Sequence, residues 1–250
     1  MPGPRVVITI ADQAPGADPV RLAARNALYA DAVARHGGEP VLVAPSLPAD
    51  ARRTALEGMT GLLLSGGVDI DPARYDGPPG GAAEVDAARD ELEAEAWAVA
   101  ETRDLPVLGI CRGLQAINVF SGGRLLGDVG GHRGAAWGGG PALTHPLRLA
   151  PGTRLARILF PANPRGGVVE VNSYHHQAVR PADLAAGLVV GGTTSSPAGD
   201  LVEALETRSG RFVVGVQCHP ERRESTPAAF ERLFAVFVDA CRGPASARRP

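Results

Sequence analysis

Short apolar segments alternate with longer amphipathic segments along the first half of the chain. The short segments are rich in β-branched residues and lie between turn residues, which predicts buried strands. In the longer segments apolar residues recur every three or four positions, which predicts helices. Strands and helices that alternate in this way form a largely parallel α/β sheet. The predicted strands span residues 6–10, 40–44, 61–64 and 106–110, and the predicted helices span residues 20–36 and 84–102, with a short helical turn at 49–57.

The pattern changes after Phe120, where glycine becomes frequent and the helical periodicity is lost. We expect loop and short strand there, and a loop as long as residues 130–151 is more often functional than idle. Later segments predict several strands in mostly antiparallel hairpins, followed by a helix over residues 226–241. The apolar stripe of that helix, which we assign to the core, comprises Phe230, Leu233, Phe234 and Phe237.

Together these segments predict one α/β domain over residues 1–242. It has a mostly parallel central sheet flanked by helices and a smaller antiparallel sheet. A hydrophobic content of 44% and a charged content of 21% are those of an ordinary globular protein. The tail at residues 243–250 is expected to be disordered.

The net charge of the chain limits the kinds of partner that we expect, and its cysteine content indicates the cellular compartment. The formal net charge is −2, and no basic cluster precedes the tail, so neither nucleic acid nor a membrane surface is an expected partner. Three cysteines do not make a disulfide framework, and an odd number favours free thiols in a reducing compartment. The apolar run at residues 5–10 is too short for a signal peptide. We therefore expect a cytoplasmic protein.

Cys111 stands between Gly109 and Gly113, where a predicted strand meets an amphipathic helix. This arrangement matches the strand–turn–helix of a nucleophile elbow, in which glycines permit a tight turn and a close approach. A helix N-terminus favours the thiolate, and the N–H of Arg112 points to where an oxyanion would develop. The alternative is a small buried core residue, which is the commoner role of an arbitrary cysteine.

A nucleophile of this kind needs a base, and the base needs an orienting acceptor. His219 follows an apolar strand, and Glu221 stands two residues later, after Pro220. Side chains two apart on an extended segment emerge on the same side, so the carboxylate can hold one imidazole nitrogen and leave the other for the thiol. A His-Pro-Glu sequence alone is usually a surface turn. Combined with Cys111, it predicts a Cys–His–Glu triad.

Two glycines, Gly66 and Gly67, follow the third predicted strand and precede an acidic turn. They let backbone amides approach a ligand, and this edge of an α/β sheet is where ligands bind. We predict Gly67 as the second oxyanion donor opposite Arg112, with Gly66 as the less favoured donor and a substrate contact. A plain turn is the alternative, and the nearby acids Asp69 and Asp71 are assigned to turn and cap.

The three blocks around Gly67, Cys111 and His219 resemble the class I glutamine amidotransferase family. The stretches that are similar in detail to its γ-glutamyl-γ-aminobutyrate hydrolase-like branch are SGGVDIDPARYDG, ICRGLQAINVFSGGRLLGDV, VNSYHHQAV and GVQCHPE, with the first and third pointing to that branch. The resemblance spans nearly the whole chain. It implies a flavodoxin-like fold, with the triad and the oxyanion hole at the positions named above. It also implies that Gln115 lines the γ-glutamyl pocket and that Arg89 and Asp90 lie near the site.

Cys218 departs from the family pattern, because a bulky aromatic usually precedes the catalytic histidine. On an extended segment Cys218 points away from His219, so we assign it to the core and not to a second catalytic thiol. The loop at residues 130–151 departs as well and is expected to shape the amine end of the substrate pocket.

Tyr174, His175 and His176 are expected near the substrate, although at most half of the side chains on a strand can face it. Two adjacent histidines could suggest a metal, but no third ligand stands at a suitable spacing, so neither a metal nor another cofactor is expected. The remaining histidines, which we assign to loops and caps, are His36, His132 and His145.

The triad predicts a cysteine hydrolase that acts through a thioester, and the family resemblance implies that it cleaves a γ-glutamyl amide to glutamate and an amine. One alternative is a glutaminase subunit that supplies ammonia to a separate synthetase, since the chain has no nucleotide-binding loop of its own. Another is a non-catalytic sensor of γ-glutamyl ligands. The amine, the pathway (polyamine catabolism or secondary metabolism) and a possible homodimer are left open.

Overall fold

The computed structural model describes residues 2–12, 18–78, 81–134, 140–163, 165–208 and 210–243. Its strands are β1 (Arg5–Thr9), β2 (Glu39–Val43), β3 (Gly61–Leu64), β4 (Val107–Ile110), β5 (Leu143–Leu149), β6 (Val168–Ser173), β7 (Leu188–Ser196), β8 (Gly199–Thr207) and β9 (Val213–Val216). Its helices are α1 (Pro19–Arg35), α2 (Ala49–Glu57), α3 (Ala87–Thr102), α4 (Arg112–Phe120), α5 (Arg154–Leu159) and α6 (Glu231–Ala240). Short 3-10 turns span Pro72–Arg74, Pro181–Asp183 and Ala228–Phe230.

All the described strands belong to one mixed sheet, in the order β2-β1-β3-β4-β9-β8-β7-β5-β6. The first five strands of that order pair in parallel. From β9 to β6 every pairing is antiparallel. The predicted α/β fold class is therefore confirmed, and the antiparallel strands extend the parallel sheet instead of forming a second one.

The core lies on both faces of the parallel strands, because successive side chains of a strand point to opposite faces. Val6 and Ile8 pack on one face against residues of α1, α5 and α6. Val7 packs on the other face with residues of α2, α3 and α4. Parallel strands need this cover on both sides, which is why they are apolar at nearly every position. The predicted stripe of the last helix is buried in the first of these two clusters.

Parts of the second half differ from the prediction. Strand β5 lies in the segment where loop and short strand were expected, and the short helix α5 that follows it was not predicted. A proline inside a segment argues against a central strand. Pro146 is tolerated because β5 pairs with β7 only at Arg148 and Leu149, so one side of the strand has no neighbour at Pro146. The last helix begins at Glu231 after a 3-10 turn, later than predicted, and the predicted disordered tail lies outside the described residues except for Gly243.

The sheet order brings three chain segments to one edge. β3, β4 and β9 are parallel neighbours, so the residues that follow their carboxyl ends meet there. These residues are Gly66 and Gly67 after β3, Cys111 after β4 and His219 after β9. Across the described residues, no helix has both the length and the apolar character needed to cross a membrane.

Candidate active site

The turn between β4 and α4 places Cys111 in a strained backbone conformation. Cys111 is the N-cap residue of α4, with φ 54° and ψ −106°. A non-glycine residue with positive φ is uncommon, and such strain is found most often at functional sites. The flanking glycines serve close approach, since a Cβ at Gly113 would lie 2.0 Å from the carbonyl oxygen of Leu64. The strained backbone conformation of the turn is therefore that of Cys111 itself.

His219 and Glu221 form a direct hydrogen bond between buried side chains. His219 Nδ1 lies 2.7 Å from Glu221 Oε1, and both residues are less than a tenth exposed. Burial lowers the pKa of His219, but the Glu221 carboxylate, the charge of Cys111 and hydrogen bonds to both side chains outweigh burial and raise the pKa to about 9. With Nδ1 committed to Glu221, Nε2 is the nitrogen left for Cys111. His219 thus contacts Glu221 directly, and its imidazole lies close enough to Cys111 for the thiol to influence its pKa.

Two backbone N–H groups remain available beside Cys111. Among the residues that the structure describes, neither the N–H of Gly67 nor that of Arg112 donates to another group. The N–H of Gly66, in contrast, donates to the hydroxyl of Tyr29 at 3.1 Å. The geometry agrees with the preference for Gly67 over Gly66 as oxyanion donor. The role of Tyr29 was not predicted.

A buried ionic network lies beneath these donors. The guanidinium of Arg112 contacts the carboxylates of Asp90 and Glu93. Arg89 Nε donates to Glu93 Oε1 at 3.0 Å, and Arg89 Nη2 donates to the carbonyl oxygen of Ser65 at 3.0 Å. Two cations and two anions balance, so the network buries no net charge. It ties the segment that precedes Gly66 to the first residue of α4, and so fixes both candidate donors.

Asn172 and Gln217 support the candidate triad, and sequence reasoning missed both. Asn172 Oδ1 accepts from the N–H of His219 at 2.7 Å, and its Nδ2 donates to the carbonyl of His219 at 3.0 Å. Gln217 Nε2 lies 3.5 Å from Cys111 Sγ. Asn172 stands in the stretch VNSYHHQAV, where a buried amide at a strand end was the available signal. For Gln217 no local signal distinguishes it from a core residue.

The predicted substrate residues are placed at different parts of the site. Gln115 is buried, and its Nε2 donates to Gln217 Oε1 at 3.2 Å and to the carbonyl of Gln177 at 2.9 Å. The ring of Tyr174 packs edge-on against His219, with 5.6 Å between centroids. His176 points elsewhere, with Nε2 2.9 Å from Asp69 Oδ1. Tyr174 is therefore the member of its segment that touches a candidate catalytic side chain.

His175 lies in a second buried cluster that the sequence did not predict. The cluster joins it to His132, His145 and Glu203, and one potential metal-ligand atom from each lies within 4.8 Å of the others. His145 is in β5 and not in a loop or cap, as we had assigned it, whereas His36 does cap α1. The reason for expecting no metal, the lack of a third ligand, does not hold in the folded chain.

The remaining cysteines have the surroundings of core residues. All three thiols are free and buried. Cys218 belongs to the larger apolar cluster of the sheet, as expected for a core residue. Burial, with added repulsion from Glu203, Glu221 and Cys111, raises the pKa of Cys218 well above its usual value, which disfavours a reactive thiolate there.

Comparison with known sequences places the chain in a family. The sequence profile of the peptidase C26 family matches residues 8–221. The chain belongs to the peptidase C26 family. The resemblance to class I glutamine amidotransferases stated above is therefore confirmed at the level of the family.

Two curated relatives illustrate the range of this family. A Mycobacterium tuberculosis protein, Rv2859c, named provisionally as a glutamine amidotransferase, is 37% identical over 221 residues, which cover 86% of this chain and 67% of the relative. The γ-glutamyl-γ-aminobutyrate hydrolase PuuD of Escherichia coli is 29% identical over 229 residues, which cover 85% of this chain and 84% of that enzyme. Both similarities extend over most of the chain.

A solved structure gives the same fold at low sequence identity. The glutaminase domain of CTPS from Trypanosoma brucei, bound to acivicin, aligns with a TM-score of 0.63 and 20% identity. The alignment covers 96% of this chain and 94% of that domain. The likeness supports the glutamine amidotransferase-like fold of this C26 family member.

Proposed function

We propose that this protein hydrolyses a γ-glutamyl amide through a γ-glutamyl thioester on Cys111. The observation that carries the proposal is the contact of three side chains: a strained cysteine, a histidine beside it and a carboxylate on the far nitrogen of that histidine. A nucleophile, a base and an orienting acceptor in this order form the arrangement that activates a nucleophile. The alternative of a purely structural cluster gives no reason for positive φ at Cys111.

In the first half-reaction His219 Nε2 takes the proton of the Cys111 thiol, and the thiolate attacks the γ-carbonyl carbon of the substrate. The carbonyl oxygen gains negative charge and accepts hydrogen bonds from the N–H groups of Gly67 and Arg112. The imidazolium of His219 then donates its Nε2 proton to the amine nitrogen as the C–N bond breaks. The amine leaves, and the γ-glutamyl group remains on sulfur as a thioester.

In the second half-reaction water replaces the amine. Neutral His219 accepts a proton from water at Nε2, and the hydroxide attacks the thioester carbon. Breakage of the C–S bond releases glutamate and returns Cys111 to its starting state. Glu221 keeps the imidazole oriented in both halves through Nδ1.

A γ-glutamyl amine is the substrate class we favour, because the relative PuuD is named for hydrolysis of γ-glutamyl-γ-aminobutyrate. We assign Gly66, Gln115 and Tyr174 to the surroundings of the substrate, with the ring of Tyr174 packed against His219. His175 and His176, which were predicted there as well, face Glu203 and Asp69 instead. A panel of γ-glutamyl amines, γ-glutamyl peptides and glutamine, assayed for glutamate released by the purified protein alone, identifies the amine.

Replacement of the nucleophile tests the mechanism. Cys111→Ala removes the covalent route, so glutamate release from the best substrate of the panel should fall by at least about 10⁴-fold. Cys241→Ala, which alters a buried thiol outside the candidate site, serves as the matched control and should keep the wild-type rate. Mass spectrometry of the wild type quenched during turnover should show a γ-glutamyl adduct on Cys111. Turnover that survives Cys111→Ala would end the proposal.

A second candidate is a glutaminase that delivers ammonia to a separate synthetase. It is favoured by the provisional name of the Mycobacterium tuberculosis relative, which is the more similar of the two sequences. The same thioester chemistry serves both candidates, with ammonia as the leaving amine. Glutamine hydrolysis that appears only when a partner enzyme is added would favour this candidate over the γ-glutamyl amine hydrolase.

A further inference from the structure

Three buried side chains and one partly buried side chain converge in the antiparallel half of the sheet without forming hydrogen bonds to one another. His132 precedes β5, His145 lies in β5, His175 follows β6 and Glu203 lies in β8. Their potential ligand atoms lie within 4.8 Å of one another. Four elements that are distant in sequence therefore present nitrogen and oxygen atoms to one small volume.

The atoms that face this volume have no hydrogen-bond partner among the described residues. They are His132 Nδ1, His145 Nε2, His175 Nε2 and both carboxylate oxygens of Glu203. Each buried polar atom that is left unpaired costs about 1–3 kcal/mol, so a group of them in a native protein requires an explanation. A proton shared between the carboxylate and one imidazole would satisfy two of them at most. A cation at the centre would satisfy all four side chains at once.

The other ring nitrogens fix which atoms can bind. His175 Nδ1 lies 3.0 Å from the carbonyl of Gln177, and His145 Nδ1 lies 3.5 Å from the carbonyl of Pro146. A carbonyl can only accept, so these contacts favour the proton on Nδ1 and leave the lone pair of Nε2 towards the cluster. Histidines that bind metals are oriented in this way by backbone carbonyls.

We propose that His132, His145, His175 and Glu203 form a binding site for a divalent transition metal of the zinc class. Three imidazole nitrogens and one carboxylate suit Zn²⁺, whereas Mg²⁺ and Ca²⁺ prefer oxygen ligands alone. Ligands about 2.0–2.1 Å from a tetrahedral ion stand about 3.4 Å from one another. The separations to Glu203 are 3.7 Å from His145 Nε2 and 3.6 Å from His175 Nε2, so small side-chain movements complete the site.

Four protein ligands make this a closed, structural type of site. The metal would join the segment around His132 to β5 and β8 and would hold His175, the neighbour of Tyr174, whose ring packs against His219. A surface pocket of ≈ 610 Å³, lined in part by His132 and His145, gives a route for the ion from solvent. The site is distinct from the triad, so it stands or fails independently of the hydrolase proposal.

Metal content of the full chain tests the site directly. Protein treated with a chelator and then dialysed against Zn²⁺ should retain about one zinc ion per chain by elemental mass spectrometry. Glu203→Gln keeps the shape of the side chain but removes the anionic ligand, and it should weaken zinc binding by at least about 100-fold. His176→Ala is the matched control, because His176 adjoins His175 in sequence but contacts Asp69, and this variant should retain the zinc.

Two further measurements separate this site from binding at the reactive thiol. Cys111→Ala should keep full zinc stoichiometry. Wild-type protein loaded with Co²⁺ should show the visible absorption bands of a tetrahedral ion, without the ultraviolet charge-transfer band of a thiolate ligand. This measurement uses the wild type alone, so it does not depend on whether a variant folds. Absence of zinc from the wild type, full retention by folded Glu203→Gln, or loss with Cys111→Ala would each overturn the proposal.

Discussion

Two buried histidines each stand next to a buried carboxylate, yet their pKa values shift in opposite directions. His219, beside Glu221, has a pKa raised to about 9, whereas His175, beside Glu203, has a pKa lowered to about 3. Burial lowers the pKa of both imidazoles. The residue types and the degree of burial are alike, so the difference must come from how each pair is connected.

The connection differs in the distance between the imidazole and the carboxyl group and in the effect of burial on Glu203. Glu221 Oε1 lies 2.7 Å from His219 Nδ1, a direct hydrogen bond, and Cys111 adds a second contact. Glu203 Oε1 lies 3.6 Å from His175 Nε2, too far for a hydrogen bond. Burial also raises the pKa of Glu203 well above its usual value, which weakens the support that this carboxyl group gives to an imidazolium. One pair is suited to proton transfer, and the other is suited to hold a metal.

The largest effect is expected from breaking the first pair. Glu221→Ala leaves His219 without its orienting acceptor, and loss of such a residue costs on the order of 10⁴-fold in kcat. Glutamate release from the preferred γ-glutamyl amide measures it. Glu224→Ala removes an exposed carboxylate of the same segment and should leave kcat unchanged. A Glu221→Ala enzyme within about tenfold of the wild type would mean that this pair is not part of the catalytic machinery.

A smaller effect is expected from occupying the second pair. A ligand that binds only the folded state at 100 times its Kd stabilises it by about 2.7 kcal/mol. Zn²⁺ at that excess should therefore raise the urea midpoint of chelator-treated wild-type protein. Glu203→Gln, with zinc binding weakened at least about 100-fold, should gain at most about 0.4 kcal/mol from the same Zn²⁺ concentration. If Zn²⁺ raises the midpoints of both proteins equally, the ion binds outside the cluster. The His175–Glu203 pair would then not be a metal-binding pair.

The two pairs also differ in how far the sequence predicts them. His219 and Glu221 are two residues apart after an apolar strand, and Cys111 is marked by its flanking glycines, so each has a local signal. The parallel strands and the first helices were predicted for the same reason, since their apolar periodicity is local. Because β3, β4 and β9 are adjacent parallel strands, the residues that follow their carboxyl ends then meet at one edge of the sheet.

The second pair has no local signal. His132, His145, His175 and Glu203 stand on different elements, and only the antiparallel pairing of the second half brings them together. That half was also the less well predicted part of the fold, because the glycine-rich segment after Phe120 has little periodicity from which the bounds of β5 could be predicted. The roles of Asn172 and Tyr29 were not predicted from the sequence for a related reason. Each acts on a backbone group that is far away in sequence, at His219 or Gly66.

The smallest expected effect is on the pH dependence of folding stability, to which His219 and His175 contribute with opposite signs. The pKa of His219 is raised from 6.5 to about 9 on folding, so its contribution is complete below pH 6.5 and is lost as pH rises to 9. For His175, whose pKa falls from 6.5 to about 3, stability is instead lost as pH falls below 6.5. Each slope is at most about 1.4 kcal/mol per pH unit.

Urea unfolding of chelator-treated protein across this range measures both slopes. Glu221→Gln weakens the charge that holds the proton on His219, so the loss of stability between pH 6.5 and 9 should be shallower than in the wild type, while the acid side stays unchanged. The difference between the two proteins cancels other groups that titrate in the same range. Parallel curves above pH 6.5 would show that Glu221 does not set the protonation of His219, and the contrast with His175 would then need another cause.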